Sequence, residues 1–184
     1  MLIGFSVSNY KSFNTSQSIS LQASEILHHK SHLKTIGSKQ ILKCSLIFGA
    51  NASGKSNLIN AMDFSRNIII NGLDSVELNK EYFRLNNDTY KLPAVFEYRL
   101  IVNEIEYSYG IVISYAQKNI ISEWLIRIDN DGKETCIYNR DVDENGKYIA
   151  ISEYDFDNTE DELHMKIYLK DFSENISDTF KKTF

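Results

Sequence analysis

Proline, glycine and cysteine are scarce in this sequence, and each scarcity excludes a class of protein. Pro93 is the only proline and glycine occurs 8 times in 184 residues, so collagen-like chains and Pro-rich or Gly/Ser-rich linkers are excluded. The two cysteines, Cys44 and Cys136, are too few for a disulfide framework or for a zinc site built from cysteine pairs. This cysteine usage predicts a protein of the reducing cytoplasm.

Long apolar runs and an excess of positive charge are also missing. The longest apolar runs, such as Ile68–Ile70, fall far below the roughly 18 residues of a membrane-spanning helix, and the N-terminus lacks the charged start of a signal peptide. The formal net charge of −5 provides no domain-wide basic field for coating nucleic acid. With 42% hydrophobic residues, the chain favours one globular domain without a membrane partner.

The first quarter of the chain alternates between strand-like and polar segments. Apolar alternation predicts strands over residues 2–7 and 17–22. Residues 24–40 are polar and show no convincing period, which favours a loop or a frayed helix. The nearly continuous apolar run from Leu42 to Phe48 is typical of a strand buried on both faces.

A helix and then a series of strands follow. Apolar residues recur at helical spacing from Ser56 onwards, and Asn71-Gly72 supplies a natural stop because glycine adopts the left-handed cap conformation readily. Beyond Tyr82, two β-type segments flank the turn Asn103-Glu104 and predict a hairpin. Further strands are predicted over residues 120–128, 134–138 and 147–151. The fold class is therefore α/β with α+β character.

One motif points directly to chemistry. Residues 49–56 read Gly49-Ala50-Asn51-Ala52-Ser53-Gly54-Lys55-Ser56 and match G-x-x-x-x-G-K-[ST], the phosphate-binding P-loop or Walker A pattern. The glycines let the backbone curl around phosphate oxygens, and the N-terminus of the following helix adds a partial positive charge. Lys55 would supply a full positive charge to the β- and γ-phosphates, while the Ser56 hydroxyl would ligate Mg²⁺.

The P-loop and the N-terminus together resemble a known group of proteins. The run Gly49 to Leu58 and the earlier Phe5-Ser6-Val7-Ser8-Asn9-Tyr10-Lys11-Ser12-Phe13 are similar to the amino-terminal lobe of ABC-type ATPases of the SMC/RecF/OLD kind. The similarity is greatest to bacterial AAA-family ATP-binding proteins linked to phage defence and abortive infection. Later segments fit the same group, over residues 82–85, 96–98, 107–110 and 120–125. The resemblance implies lobe I of a P-loop NTPase, with a strand–P-loop–helix core and an antiparallel β subdomain.

The resemblance also implies ligands and partners. ATP and Mg²⁺ would be held by residues 49–57, with Lys55 as the catalytic residue, Ser56 as the metal ligand and Asn57 as part of the nucleotide site. A basic residue after the first strand commonly approaches the phosphates in this group, which implies contacts from Lys11 and Ser12; an exposed turn is the alternative. A second ATPase lobe or a second copy of the chain would be the partner, with DNA or a defence effector as further candidates.

The sequence departs from this group beyond the first lobe. A working site of this kind also has a Walker B aspartate with a neighbouring glutamate, a Leu-Ser-x-Gly signature and a switch histidine, none of which is recognisable here. The nearest segment, Trp124–Asp129, is interrupted by Arg127. We therefore expect residues 1–184 to be a single partial ATPase domain that is a truncated product, a fragment or half of a split ATPase. Its expected parts are strands, P-loop and helix over 1–72, a β subdomain over 73–152, and a connection toward a second lobe over 153–184.

Two functions compete on these features, and a third is disfavoured. The favoured one is an ATP-binding lobe that couples Mg-ATP binding to dimerisation or switching in a DNA-related or antiphage defence system. The alternative is a non-catalytic remnant that acts as a protein-interaction module. A complete small kinase or GTPase is disfavoured, because β hairpins rather than parallel strand–helix units follow the first helix.

Weaker site candidates have simpler explanations. His28, His29 and His32 could form a metal-binding tract, but a solvated loop is favoured because few other ligands accompany them. Glu123 could meet the metal or the attacking water, although an ordinary strand-end glutamate is favoured. The tyrosines have strand spacing and favour sheet packing over base stacking, at positions 98, 107, 109 and 115.

Overall fold

Nine strands and one long helix make up the fold in the computed structural model, which describes residues 1–24, 30–86, 88–142 and 148–151. The helix is α1 (Lys55–Asn71). The strands are β1 (Leu2–Ser8), β2 (Gln17–Ser20), β3 (Leu33–Ile36), β4 (Lys39–Leu42), β5 (Ala94–Val102), β6 (Ile105–Ser114), β7 (Asn119–Ile128), β8 (Glu134–Val142) and β9 (Tyr148–Ile151). Seven of them form one sheet in the order β2-β1-β5-β6-β7-β8-β9, and β3 pairs with β4 separately.

Every neighbouring pair in the large sheet is antiparallel, as the predicted hairpins require. The turn between β5 and β6 is Asn103-Glu104, in which both residues have positive φ, 49° and 65°. Two positive φ values in a two-residue loop match the right-handed twist of the flanking strands. The predicted hairpin is thereby confirmed, as are the predicted strands that follow it in β7, β8 and β9.

The first strand lies inside the sheet rather than at its edge. Phe5 of β1 pairs with Ile19 of β2 on one side and with Tyr98 of β5 on the other. This pairing joins residues more than 90 positions apart in the chain. It places the turn that follows β1 next to the elements that come after the P-loop.

Helix α1 covers one face of the sheet through its apolar side. Its buried residues are Ala61, Phe64, Ser65 and Ile68, whose spacing of three and four places them on one stripe. Phe64 packs against Phe96 of β5 and Tyr10, with ring centroids 5.7 and 5.1 Å apart. The buried Ser65 hydroxyl donates to the carbonyl of Ala61 at 2.7 Å, so its polar group is satisfied inside the core. The predicted amphipathic helix is confirmed.

The predicted buried strand from Leu42 to Phe48 is wrong. Strand β4 ends at Leu42, and residues 43–50 belong to no strand or helix. Leu46 and Phe48 are 73% and 85% exposed. An apolar run of this kind becomes a buried strand only when neighbouring strands pair with both its edges. Among the described residues, all seven strands of the large sheet have their partners elsewhere.

The expectation of a loop or frayed helix over residues 24–40 is also wrong for its second half. Strands β3 and β4 form a hairpin that turns at Gly37-Ser38, where Gly37 has φ 57°. The buried side chain of Ile41 packs with Ile3 and Ile101, and Lys39 forms an ion pair with the buried Glu106. The hairpin is therefore held by contacts with distant strands. None of the described helices has the length and apolarity needed to cross a bilayer.

Candidate functional site

The P-loop forms a tight turn that ends at the first residue of α1. Gly54 precedes the helix with φ 93°, a left-handed conformation that glycine adopts without steric cost. A Cβ atom at Gly54 would lie 3.2 Å from the Ser12 hydroxyl oxygen and 3.3 Å from the Phe13 ring. At Gly49, it would lie 2.6 Å from the Ser53 hydroxyl oxygen. At Gly54 the left-handed backbone favours glycine, whereas a side chain at Gly49 would require the Ser53 hydroxyl to move.

The Lys55 side chain folds over this loop. Its ammonium nitrogen donates hydrogen bonds to the carbonyl oxygens of Gly49 and Ala50 at 2.7 and 2.6 Å. The same nitrogen lies 3.4 Å from the Ser53 hydroxyl oxygen. The positive charge of Lys55 is therefore held at the centre of the loop, where the motif requires it for binding a phosphate.

The loop and the start of α1 offer groups suited to the phosphates of a nucleoside triphosphate. Residues 49–53 and Ser56 are exposed, so a ligand can reach them. The first-turn N–H groups of a helix have no partner within the helix and attract anions. For Mg²⁺, Ser56 supplies one hydroxyl at this position. In the described parts of the chain there is no cluster of three or more His, Cys, Asp or Glu side chains that would hold a metal by itself. A bound Mg²⁺ would thus be shared between Ser56 and the phosphates.

The structure brings the turn after β1 against the P-loop. The Asn57 side-chain amide, in the first turn of α1, donates to the Ser12 hydroxyl at 2.8 Å. Lys11 has φ 47°, its backbone N–H donates to the carbonyl of Glu81 at 2.7 Å, and its ammonium lies 3.3 Å from the Glu81 carboxylate. Ser12 therefore lies against the loop, whereas the charge of Lys11 is paired with Glu81.

An open hollow of about 720 Å³ adjoins this contact. It is lined by Lys11, Ser12 and Asn57 and by residues 79–81, 84 and 85. This volume lies within the roughly 300–1,000 Å³ that is usual for ligand sites. Lys80 and Arg84 add two cations to this lining, and no sequence pattern predicted a role for either residue. For the segment Tyr82–Leu85, the sequence indicated only a resemblance to the family.

The weaker candidates lie away from any such site. Glu123 is buried within β7, where it accepts hydrogen bonds from Tyr109 and Tyr138 at 2.8 and 3.0 Å and pairs with Arg140 at 2.8 Å. It is a structural carboxylate in the middle of the strand, not at its end. Tyr115 is buried in the core, as the packing interpretation predicts. His28 and His29 lie outside the described residues, and His32 is exposed.

These features define the class of protein: a P-loop nucleotide-binding domain of mixed α/β structure, in which the loop joins directly to α1. Comparison with protein families specifies the class further. Residues 44–174 match the family described as "AAA domain, putative AbiEii toxin, Type IV TA system", and the chain belongs to this family. The match includes the P-loop, α1 and strands β5 to β9. Among curated proteins, none matches the sequence.

Proposed function

We propose that this chain is the ATP-binding lobe of an ATPase of the SMC/RecF/OLD kind. Mg-ATP binding would drive dimerisation or a conformational switch in a DNA-related or antiphage defence system. The observation that carries the proposal is the Gly49–Ser56 loop at the N-terminus of α1, with Lys55 held over its carbonyls. Membership of a family described by a toxin–antitoxin system supports a defence role.

The P-loop and the groups beside it support a proposal for which residues would hold the nucleotide. Lys55 would exchange its carbonyl partners for phosphate oxygens, and the Ser56 hydroxyl would join the coordination of Mg²⁺. Ser12 and Asn57 lie beside the loop and line the adjoining hollow. The nucleoside would extend from the phosphates into this hollow. When bound, the triphosphate supplies the negative charge that these groups are arranged to receive.

Calorimetric titration of the 184-residue chain with Mg-ATP tests this proposal. The unaltered chain and Lys133→Ala, which removes an exposed lysine from the β7–β8 turn, should both bind. Lys55→Ala should lose binding, because the positive charge at the loop is removed. Equal binding by Lys55→Ala and the unaltered chain would overturn the proposal, as would no binding by the unaltered chain.

A protein-interaction module is the second candidate, and the exposed segment before the P-loop favours it. Leu46, Phe48 and, on α1, Ile59 expose 73%, 85% and 56% of their surfaces. Exposed apolar side chains of this size favour coverage by another protein where they form one patch. Sedimentation distinguishes the two functions: the ATPase lobe should associate only with Mg-ATP. The interaction module should associate equally with and without nucleotide, and the double substitution Leu46→Ser with Phe48→Ser should abolish that association.

A further inference from the structure

The hydrogen bond between Asn57 and Ser12 joins two parts of the chain that are 45 positions apart. The Asn57 amide donates to the Ser12 hydroxyl oxygen at 2.8 Å. Ser12 belongs to the turn after β1, and Asn57 lies two residues after the P-loop lysine. The bond therefore links the turn after β1 to the first turn of α1 through one side-chain contact.

This bond leaves the Ser12 proton free to be donated elsewhere. A serine hydroxyl carries one proton and two acceptor lone pairs, and the Asn57 amide uses one lone pair. Within the described residues, the Ser12 hydroxyl donates to no protein acceptor. Its oxygen is 3.2 Å from the position that a Cβ of Gly54 would take, and it lines the hollow beside the P-loop. A donor at this place lies beside Gly54 at the N-terminus of α1, the end of a helix that attracts anions.

The turn that carries Ser12 is held on its other sides as well. Tyr10 and Phe13 exchange backbone hydrogen bonds at 3.0 and 2.8 Å, and the Lys11 N–H donates to Glu81. The Tyr115 hydroxyl donates to the carbonyl of Asn9 at 3.1 Å. The backbone of the turn is thus fixed by contacts other than Asn57. What Asn57 adds is the orientation of one hydroxyl group.

We propose that Asn57 is a positioning residue, which orients the Ser12 hydroxyl as a hydrogen-bond donor to a phosphate oxygen of the bound nucleotide. The inference rests on the proposed function and adds to it. The amide also polarises the hydroxyl, because a hydroxyl that accepts a hydrogen bond becomes a stronger donor. Of the two residues expected near the phosphates, Ser12 has the hydroxyl that Asn57 orients, whereas the Lys11 ammonium is paired with Glu81 in this structure.

A double-substitution cycle tests the role of Asn57. Mg-ATP is titrated into the full chain and into Ser12→Ala, Asn57→Ala and the double variant. Each single substitution should weaken affinity about tenfold, the usual effect of losing one hydrogen bond to a charged oxygen. The double variant should bind no more weakly than Ser12→Ala alone. Independent losses of about a hundredfold in the double variant, or full affinity in Asn57→Ala, would overturn the inference.

Substitution by aspartate separates positioning from helix stability. In Asn57→Asp, the carboxylate accepts a hydrogen bond from the Ser12 hydroxyl, which then no longer donates to a phosphate. Affinity for Mg-ATP should therefore fall further than in Asn57→Ala. The melting temperature without nucleotide should not fall, because a negative charge in the first turn of a helix is stabilising. Asn60→Asp places the same charge one turn later on α1 and should bind more tightly than Asn57→Asp. Equal affinity in the two aspartate variants would assign the effect to charge alone and overturn the inference.

The outcome also separates this inference from the proposed function. Loss of binding in Lys55→Ala, together with full binding in the Ser12 and Asn57 variants, would overturn the positioning role alone. No binding by the unaltered chain would overturn both.

Discussion

The indole of Trp124 occupies the space that a side chain on Gly110 would need. The two residues face each other across β6 and β7, and a Cβ atom at Gly110 would lie 2.0 Å from the Trp124 ring. The indole nitrogen donates to the Ser108 hydroxyl at 3.3 Å, which holds the ring over the glycine. Gly110 is thus a packing requirement within a strand.

Alanine at position 110 should therefore destabilise the fold. Gly110→Ala forces the indole away, and overpacking of this kind costs about 1–3 kcal/mol. Gly4→Ala in β1 is the matched control, because the nearest atoms to its Cβ lie at 3.5 Å, an ordinary contact. Urea unfolding monitored by circular dichroism measures both. Equal stability of the two variants would contradict this packing, whereas recovery in Gly110→Ala with Trp124→Val would support it.

Removing the buried carboxylate of Glu123 should have a larger effect. Glu123→Ala takes away the group that pairs with Arg140 and accepts two tyrosine hydrogen bonds, and breaking a buried ion pair costs about 3–5 kcal/mol. Glu134→Ala, an exposed glutamate on β8, should stay within about 0.5 kcal/mol of the unaltered chain. Thermal unfolding provides the comparison. A Glu123→Ala variant as stable as the unaltered chain would contradict this structural role.

Truncation should destabilise the fold far more at Phe96 than at Phe48. Phe96 is fully buried, and Phe96→Ala should cost about 3–5 kcal/mol. Phe48 is 85% exposed, so Phe48→Ala should cost less than about 0.5 kcal/mol. Chemical unfolding of the two variants measures the difference. Truncating a core side chain costs about 2–5 kcal/mol, so a cost above about 2 kcal/mol for Phe48→Ala would show that Phe48 is buried. That result would support the predicted buried strand.

The stability of the fold should decrease in alkaline solution. Burial raises the pKa of Tyr10 and of Tyr115 far above the usual value near 10, and Glu81 contributes to both shifts. Below pH 10 both phenols are neutral in the folded and unfolded states, so their contribution is complete. Above pH 10 the unfolded chain ionises first, and each phenol should lower stability by about 1.4 kcal/mol per pH unit. Urea unfolding between pH 9 and 11 measures how the free energy of unfolding changes with pH. Tyr115→Phe should reduce that dependence by the contribution of one phenol.

Local patterns predicted the elements that are stabilised by local contacts. The helical spacing before Asn71-Gly72 and the turn at Asn103-Glu104 each act within a few residues, and both predictions are confirmed. The P-loop is equally local, since its glycines, lysine and serine are adjacent in the chain. The prediction that the P-loop joins a strand to a helix is confirmed for the helix and wrong for the strand.

Pairing between distant residues could not be predicted from these patterns. The state of Leu46 and Phe48 depends on which strands lie beside them, and the spacing of apolar residues does not contain that information. The β3–β4 hairpin had a local signal in Gly37-Ser38, which the surrounding lysines obscured. The contact between Ser12 and Asn57 depends on the pairing of β1 with β5, which no sequence period reveals.

The central position of β1 also determines the order in which the chain can fold. Strands β5 to β8 are joined by short turns, so their pairing closes only small loops, whereas pairing β1 with β5 closes a loop of more than 80 residues. Long loops cost more conformational entropy to close and slow the formation of the contacts they bring together. The meander of β5 to β8 should therefore form early, and β1 should dock late. Because the turn after β1 supplies Ser12, the proposed nucleotide site would be complete only after this final step.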